Sequence, residues 1–336
     1  MRKLWLLLAL LFLAGCAQVP TDYPRTESSA LEDYTSTTIG KRHAELEQRH
    51  PGTSGFALLR YGRNAFTARI RMTDLAEKTI DVQVYIWEPD ETGRIFAERL
   101  IRAADRGVRV RLLVDDLGFG GKDRALAALD SHPNIEMRIF NPFAGRDTPV
   151  WDFLTDMDRV NHRMHNKMVI FDNSFAIVGG RNVGDHYFAV NPNTNFRDLD
   201  IAAVGPVVRD ISDVFDHFWR GEWSVPAAAL VEDEEQFGNQ FREQFVALVR
   251  EEIATGNYPY SIESDLAEFE SSLDIIEKRF VWAHGTLVWD EPSATREKGG
   301  STSDLIVKLR RKLDTLEDSL VIESAYFVVG DDGVER

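Results

Sequence analysis

The sequence predicts an α/β protein, a sandwich built around a mainly parallel or mixed sheet. Two observations carry this. From Ile80 to Phe140 the chain alternates strand-like and helix-like segments in the order β-α-β-α-β. With 336 residues, 43% hydrophobic and 28% charged, it can bury a large core and lacks the composition of a disordered chain.

The elements follow from local pattern. Ala68–Lys78 has helical character, and Ile80–Trp87 alternates as a strand. Gly93–Arg106 repeats its apolar residues at helical spacing and stops at Gly107, a suitable C-cap. Val108–Val114 is the next strand, closed by Asp115-Asp116, whose commoner use is to cap the following turn. Lys122–Ser131 reads as a helix and Ile135–Phe140 as a strand. Met168–Phe171 and Phe175–Val178 are short apolar runs around Asp172-Asn173-Ser174, a hairpin. Asp198–Val204 and Val207–Arg220 add a strand and a helix, with Trp219 and Trp223 expected to pack at its end.

The N-terminus reads as a targeting segment. Arg2-Lys3 precedes an apolar run from Leu4 to Ala14, too short for a stable membrane span, and Leu13-Ala14-Gly15-Cys16 looks like a bacterial lipobox. Cleavage before Cys16 would leave a lipid-bearing cysteine. It is the only cysteine, which excludes a disulfide framework and a cysteine metal site. Ala17 after it favours the outer membrane, facing the periplasm, by resemblance to lipoprotein sorting rules. Residues 1–15 are therefore expected to be a signal peptide and 16–40 a Thr/Ser/Pro-rich tether. A formal charge of −16 argues against nonspecific nucleic-acid binding.

The chemistry is concentrated between His165 and Asn182. On a strand, side chains two apart point the same way, so His165 and Lys167 share a face. Gly179-Gly180 offers a backbone able to take positive φ and approach a ligand, with Asn182 just beyond. A neutral imidazole can attack phosphorus, and an ammonium and a carboxamide can hold the charged oxygens without a metal or other cofactor. Asp172 is better placed to orient a neighbouring imidazole or tie down the turn than to touch substrate. His162 and His165, three apart, would point to opposite faces of a strand and make no metal set.

This stretch resembles the HxK(x4)D(x6)GGxN signature of the phospholipase D superfamily at every fixed position. The flanks Arg163-Met164 and Val183-Gly184-Asp185-His186-Tyr187-Phe188 are similar to its cardiolipin-synthase-like bacterial branch. The resemblance implies a phospholipase D-like α/β/α sandwich with a mixed sheet. It makes His165 the nucleophile, Lys167 and Asn182 phosphate ligands, and Asp172 the fourth motif residue. Asp198 is expected to support the motif from a neighbouring strand. The family normally carries two such motifs, one per pseudo-symmetric half, and this sequence shows one.

A shift of 240 residues aligns Asp74 with Asp314, Glu77 with Glu317, Thr79 with Ser319, Ile80 with Leu320, Val82 with Ile322 and Gly93 with Gly333. The expected organisation is thus a first half over 41–230, an acidic connecting region over 231–300, and a truncated second half over 301–336 that opens with strand Leu320–Phe327. The partners this implies are a phospholipid substrate, a membrane reached through the anchor, and a homodimer or a missing C-terminal half that supplies the second motif. Two other readings stay open: a single-motif homodimeric nuclease, and an inactive lipoprotein that binds phospholipid or a partner.

Overall fold

The computed structural model describes residues 18–118, 123–146, 149–231, 234–256, 277–291 and 304–319. Residues up to Leu287 form one unit. Its sheet is built from β1 (Ser54–Leu59), β2 (Thr79–Ile86), β3 (Arg109–Gly118), β4 (Ile135–Phe140), β5 (Met168–Phe171), β6 (Phe175–Gly179), β7 (Asp200–Val204), β8 (Ser224–Pro226) and β9 (Val281–Ala283). The strand order is β8-β4-β3-β2-β5-β6-β7-β1-β9. Strands β2, β3 and β4 are parallel, joined by helices Glu91–Asp105 and Asp123–Asp130, and every other pairing is antiparallel. The sheet is therefore mixed, and its parallel part is the predicted β-α-β-α-β run.

Alternation along the central strands gives the sheet two unlike faces. Ile80, Val82 and Val84 of β2 and Val110, Leu112 and Val114 of β3 join Phe66, Ile70, Phe96 and Leu100 in the main apolar core. Those four come from helices Gly62–Leu75 and Glu91–Asp105. The alternate positions are Asp81, Gln83 and Tyr85 on β2 and Arg111, Leu113 and Asp115 on β3. Helix Pro206–Arg220 packs against β5, β6, β7 and β8. Buried Arg111 binds both carboxylate oxygens of Asp81 at 2.6 and 2.9 Å and Asp216 at 2.7 Å, with its guanidinium carbon 4.8 Å from the Phe215 ring centroid.

The structure changes the expected boundaries in three places. The first is the tether. Residues 25–31 are held against the charged face of the sheet. The carbonyls of Thr26, Ser28 and Ser29 accept from Arg138, Arg111 and Arg109 at 2.7, 3.1 and 2.6 Å, and Ala30 N–H donates to Asp216. A segment with no hydrophobic period reads as linker, yet its backbone supplies the acceptors that three buried or half-buried guanidiniums require. The second is the first helix, expected over Ala68–Lys78. It spans Gly62–Leu75, and helix Thr38–Arg49 and strand β1 precede it. Helix Gly62–Leu75 ends short of Lys78 because the N–H groups of Glu77, Lys78 and Thr79 all go to the Asp172 carboxylate.

The third is the acidic region. It holds helix Glu234–Thr255, which packs on Asp123–Asp130 and Glu91–Asp105. Val249 is fully buried, and Arg250 pairs with Glu98 at 3.1 Å. Its acidity sits on a helix that belongs to the domain. Residues from Val288 onward form a second unit, in which helix Asp304–Leu313 is described and Leu305 N–H donates to Asp290 at 2.9 Å. The expected strand Leu320–Phe327, the signal segment and Cys16 lie outside the described residues. No helix among the described residues is long and apolar enough to cross a membrane.

Arg111 is the group whose loss should be felt most on the charged face. Arg111→Ala strands the Asp81 and Asp216 carboxylates in the interior, and the expected cost is about 3–5 kcal/mol of folding stability. Chemical denaturation measures it, and a loss below about 1 kcal/mol, the scale of a surface pair, would show that the network is not a buried one.

Candidate active site

Strand direction decides where the motif meets. β5 runs antiparallel to β2, so the start of β5 and the end of β6 both lie at the edge where β2, β3 and β4 terminate. The start of β7 lies there too, since β7 is antiparallel to β6. This edge, outside the carboxyl ends of parallel strands, is where α/β sheets usually bind ligands.

His165 and Lys167 precede β5 in irregular backbone, so the strand-face argument for their convergence does not apply. They converge all the same, on Tyr85. The His165 ring centroid lies 4.8 Å from that of Tyr85, edge-on, and the Lys167 ammonium lies 5.2 Å from the same centroid. Lys167 is buried and donates to the His165 carbonyl at 2.7 Å. Burial and the neighbouring Lys167 charge push the His165 pKa down, partly offset by Asp198. Burial lowers Lys167 to about 8, with Asp198 and Asp115 opposing. At neutral pH the pair is therefore a neutral imidazole beside a cation. That is the protonation state a nucleophile and an anion ligand need.

Asn182 is buried beyond Gly179-Gly180. Its Oδ1 accepts from Ile86 N–H at 3.0 Å and its Nδ2 donates to the Tyr187 hydroxyl at 2.9 Å. One Nδ2 proton remains after that bond, because a carboxamide carries two. The glycine pair serves a different purpose from the expected one. Neither takes a left-handed φ. What they need is space: a Cβ on Gly179 would lie 2.6 Å from the Asp200 Cα and 2.6 Å from the Leu199 carbonyl oxygen. On Gly180 it would lie 2.0 Å from Asp198 Oδ1.

Asp172 is at the far end of the hairpin, about 17 Å from Lys167 for five extended residues. Of the two roles open to it in sequence it takes the second, tying down the turn. Asp172 and Asn173 have φ of 49° and 48°, and Ser174 N–H donates to the Phe171 carbonyl, as in a type I′ turn. Asp198 lies in the loop before β7, where its carboxylate acts electrostatically on both His165 and Lys167. His162 lies on coil, edge-on to Trp223 at 6.4 Å. Among the described residues no cluster of His, Cys, Asp and Glu is set to hold a metal.

Sequence reasoning missed two contributors, and a third it read mainly as a turn cap. Tyr85 is the platform under His165 and Lys167, and Tyr187 orders Asn182. The third is Asp115, which holds the lead-in to the motif. It accepts from Arg163 at 3.1 Å and Met164 N–H at 2.8 Å, while also capping its own turn through Leu117 N–H at 2.9 Å. Its burial raises its pKa to about 6. Tyr85 was signalled by parity, as the third polar residue after Asp81 and Gln83 on one face of β2.

A histidine, a lysine and a carboxamide thus gather at the carboxyl edge of the parallel strands. Residues 70–219 match the family model of the cardiolipin synthase, PLD-like domain. Over 291 residues the chain is 39% identical to cardiolipin synthase C of Escherichia coli strain K12, covering 87% of this chain and 61% of that protein. It is 32% identical over 337 residues to an uncharacterized protein of Helicobacter pylori strain J99, covering 98% and 65%. The chain thus spans 61–65% of the length of these relatives. Among solved structures, NucT from Helicobacter pylori aligns with a TM-score of 0.39 at 17% identity, over 52% of this chain and 98% of that one. Residues 70–219 are thus a PLD-like domain of the cardiolipin synthase family, within the phospholipase D superfamily.

The two glycines give a direct test of the packing. Gly179→Ala meets backbone, which cannot step aside, and should cost about 1–3 kcal/mol, the scale of overpacking. Gly180→Ala meets only the Asp198 carboxylate and should cost less. Thermal or chemical unfolding of the two variants compares them, and an equal or reversed order would contradict this packing.

Proposed function

We propose that this chain is a membrane-anchored phosphodiester enzyme acting on phospholipid head groups, by hydrolysis or phosphatidyl transfer, with cardiolipin synthesis its most specific form. The observation that carries the reading is the neutral imidazole of His165 beside the buried ammonium of Lys167, both against Tyr85. A ring nitrogen of His165 bonds to phosphorus as the ester P–O bond breaks. Lys167 and the remaining Nδ2 proton of Asn182 stabilise the charged oxygens. The departing alkoxide takes a proton from a general acid, which we assign to a second motif on a longer chain or a second copy. Water, or the hydroxyl of an acceptor lipid, then releases the phosphohistidine and returns a proton to the acid.

The anchor is assigned to a lipid on Cys16. The relatives named cardiolipin synthase support the lipid substrate, and the acidic balance weighs against a nuclease.

Two measurements test the reading. Phosphatidylglycerol vesicles should be turned over and DNA should not, and His165→Asn should lower that turnover by orders of magnitude and trap no phosphoenzyme. Normal turnover by His165→Asn overturns it. The pH profile tests the roles separately. The rate should rise as His165 loses its proton and fall as Lys167 loses its own near pH 8. In Lys167→Arg the alkaline fall should move beyond about pH 10, because a guanidinium stays charged there. An unmoved alkaline limb removes Lys167 from that role.

A further inference from the structure

The edge of the sheet that carries the motif also carries a rim of exposed apolar side chains. On one side of the motif are Leu117, just past the end of the β3 core, and Val150, Leu154 and Met157, in the connection from β4 to β5. They are 46%, 68%, 70% and 57% exposed. Phe196 and Leu199, in the loop before β7, are 52% and 45% exposed. Leu117 is at the end of β3, and the other five belong to segments that join strands at this one edge. The opposite edge is different: the β5–β6 turn there is Asp172-Asn173-Ser174, buried under polar contacts.

A second observation gives the rim an orientation. The N-terminal strap crosses the charged face in one direction. Leu31 is bonded to Asn173 at the hairpin tip, Ser29 to Arg109 at the start of β3, Ser28 to Arg111, and Thr26 to Arg138. Arg25 reaches the Gly221 and Glu222 carbonyls at 3.0 and 3.2 Å. Those residues are level with the end of β4, since Ser224 pairs with Phe140 and Phe140 with Asp115. Traced toward its N-terminus, the strap thus runs from the far edge to the motif edge. Arg25 is nine positions from Cys16, a reach of at most about 32 Å.

We infer that the motif edge seats directly on a phospholipid bilayer, with Val150, Leu154 and Met157 on one side of the site and Phe196 and Leu199 on the other inserted at the interface. The strap makes the chain leave toward Cys16 from this edge, so a lipid there draws on the motif edge first. The inference rests on the phospholipid reading for its biological sense, while its geometry stands on the rim and the strap. Apolar insertion is also what an acidic protein needs, because charge attraction to anionic lipid is not available to it. The site then opens onto head groups, and a substrate need not leave the bilayer fully.

An environment-sensitive fluorescent amino acid is placed at position 154 or at position 78 of the full chain, the latter an exposed site next to the Asp172 turn at the opposite edge. The protein is added to vesicles of brominated phosphatidylcholine and phosphatidylglycerol in equal parts. The probe at 154 should be blue-shifted and quenched, and the probe at 78 should be unaffected. In parallel, the triple substitution Val150→Ser, Leu154→Ser, Met157→Ser should lower turnover of vesicle phospholipid on the order of tenfold or more, by the lost apolar burial. It should leave hydrolysis of a short-chain soluble phosphodiester unchanged.

Quenching at both positions, at neither, or only at 78 overturns the docking. Quenching at neither with a doubled mass in light scattering would make the rim an interface between copies. Absence of any turnover, with quenching confined to 154, would sink the enzymatic reading and leave the docking standing.

Discussion

The arrangement of the site depends on one buried carboxylate far from it. Asp172 accepts three consecutive backbone N–H groups, from Glu77, Lys78 and Thr79, at 2.8–2.9 Å. These bonds stop the preceding helix, start β2, and pin the tip of the β5–β6 hairpin beside it. Burial lifts the Asp172 pKa, and the three N–H groups counter that shift, so the anion is held by backbone alone. With one end of the hairpin fixed, the register Ile80 to Phe171 through Gln83 to Met168 follows, and the other end must deliver His165 and Lys167 to Tyr85. A slip of one residue would turn each side chain to the other face. The motif aspartate is thus a register device for chemistry that happens at the opposite edge.

The same economy appears around the site. Asp115, Asp198 and Asp200 are each committed to backbone or arginine partners before any ligand arrives. Asp200 takes Arg69 at 3.0 Å and Arg181 at 3.4 Å, and receives Arg181 N–H. Arg181 in turn donates to the carbonyls of Leu59, Asp198 and Tyr187. The arginine between the motif glycines and Asn182 is therefore a clamp joining β1, the loop before β7 and the turn after β6. Beyond these contacts Lys167 keeps ammonium protons and Asn182 one amide proton. Preorganised donors of this kind are what stabilise charge in a transition state.

The charged face of the sheet shows how a polar segment becomes structure. Arg109, Arg111 and Arg138 lie under the strap, and Arg138 stacks on Trp219 at 4.2 Å while donating to its carbonyl at 2.7 Å. The carbonyls of Ser29, Ser28 and Thr26 each accept one hydrogen bond from them. The strap is thereby part of the same packed unit as the sheet it crosses.

The sequence by itself determined the family signature and the parallel core. The spacing His165, Lys167, Asp172, Gly179, Gly180, Asn182 is local information. The β-α-β-α-β run from Ile80 to Phe140 is also local, since each piece carries its own period and caps, as Asp90 and Gly107 do at either end of helix Glu91–Asp105. What only the tertiary structure decided is who meets whom across the sheet. Tyr85, Tyr187 and Asp115 lie 80, 22 and 50 positions from His165 in sequence, and no period links them. The space demanded at Gly179 and Gly180 comes from Leu199, Asp198 and Asp200, which pack there only once β7 pairs with β6. The strap over residues 25–31 was illegible for the same reason. Its contacts run through backbone carbonyls, which every residue owns, so nothing in the side chains announces them.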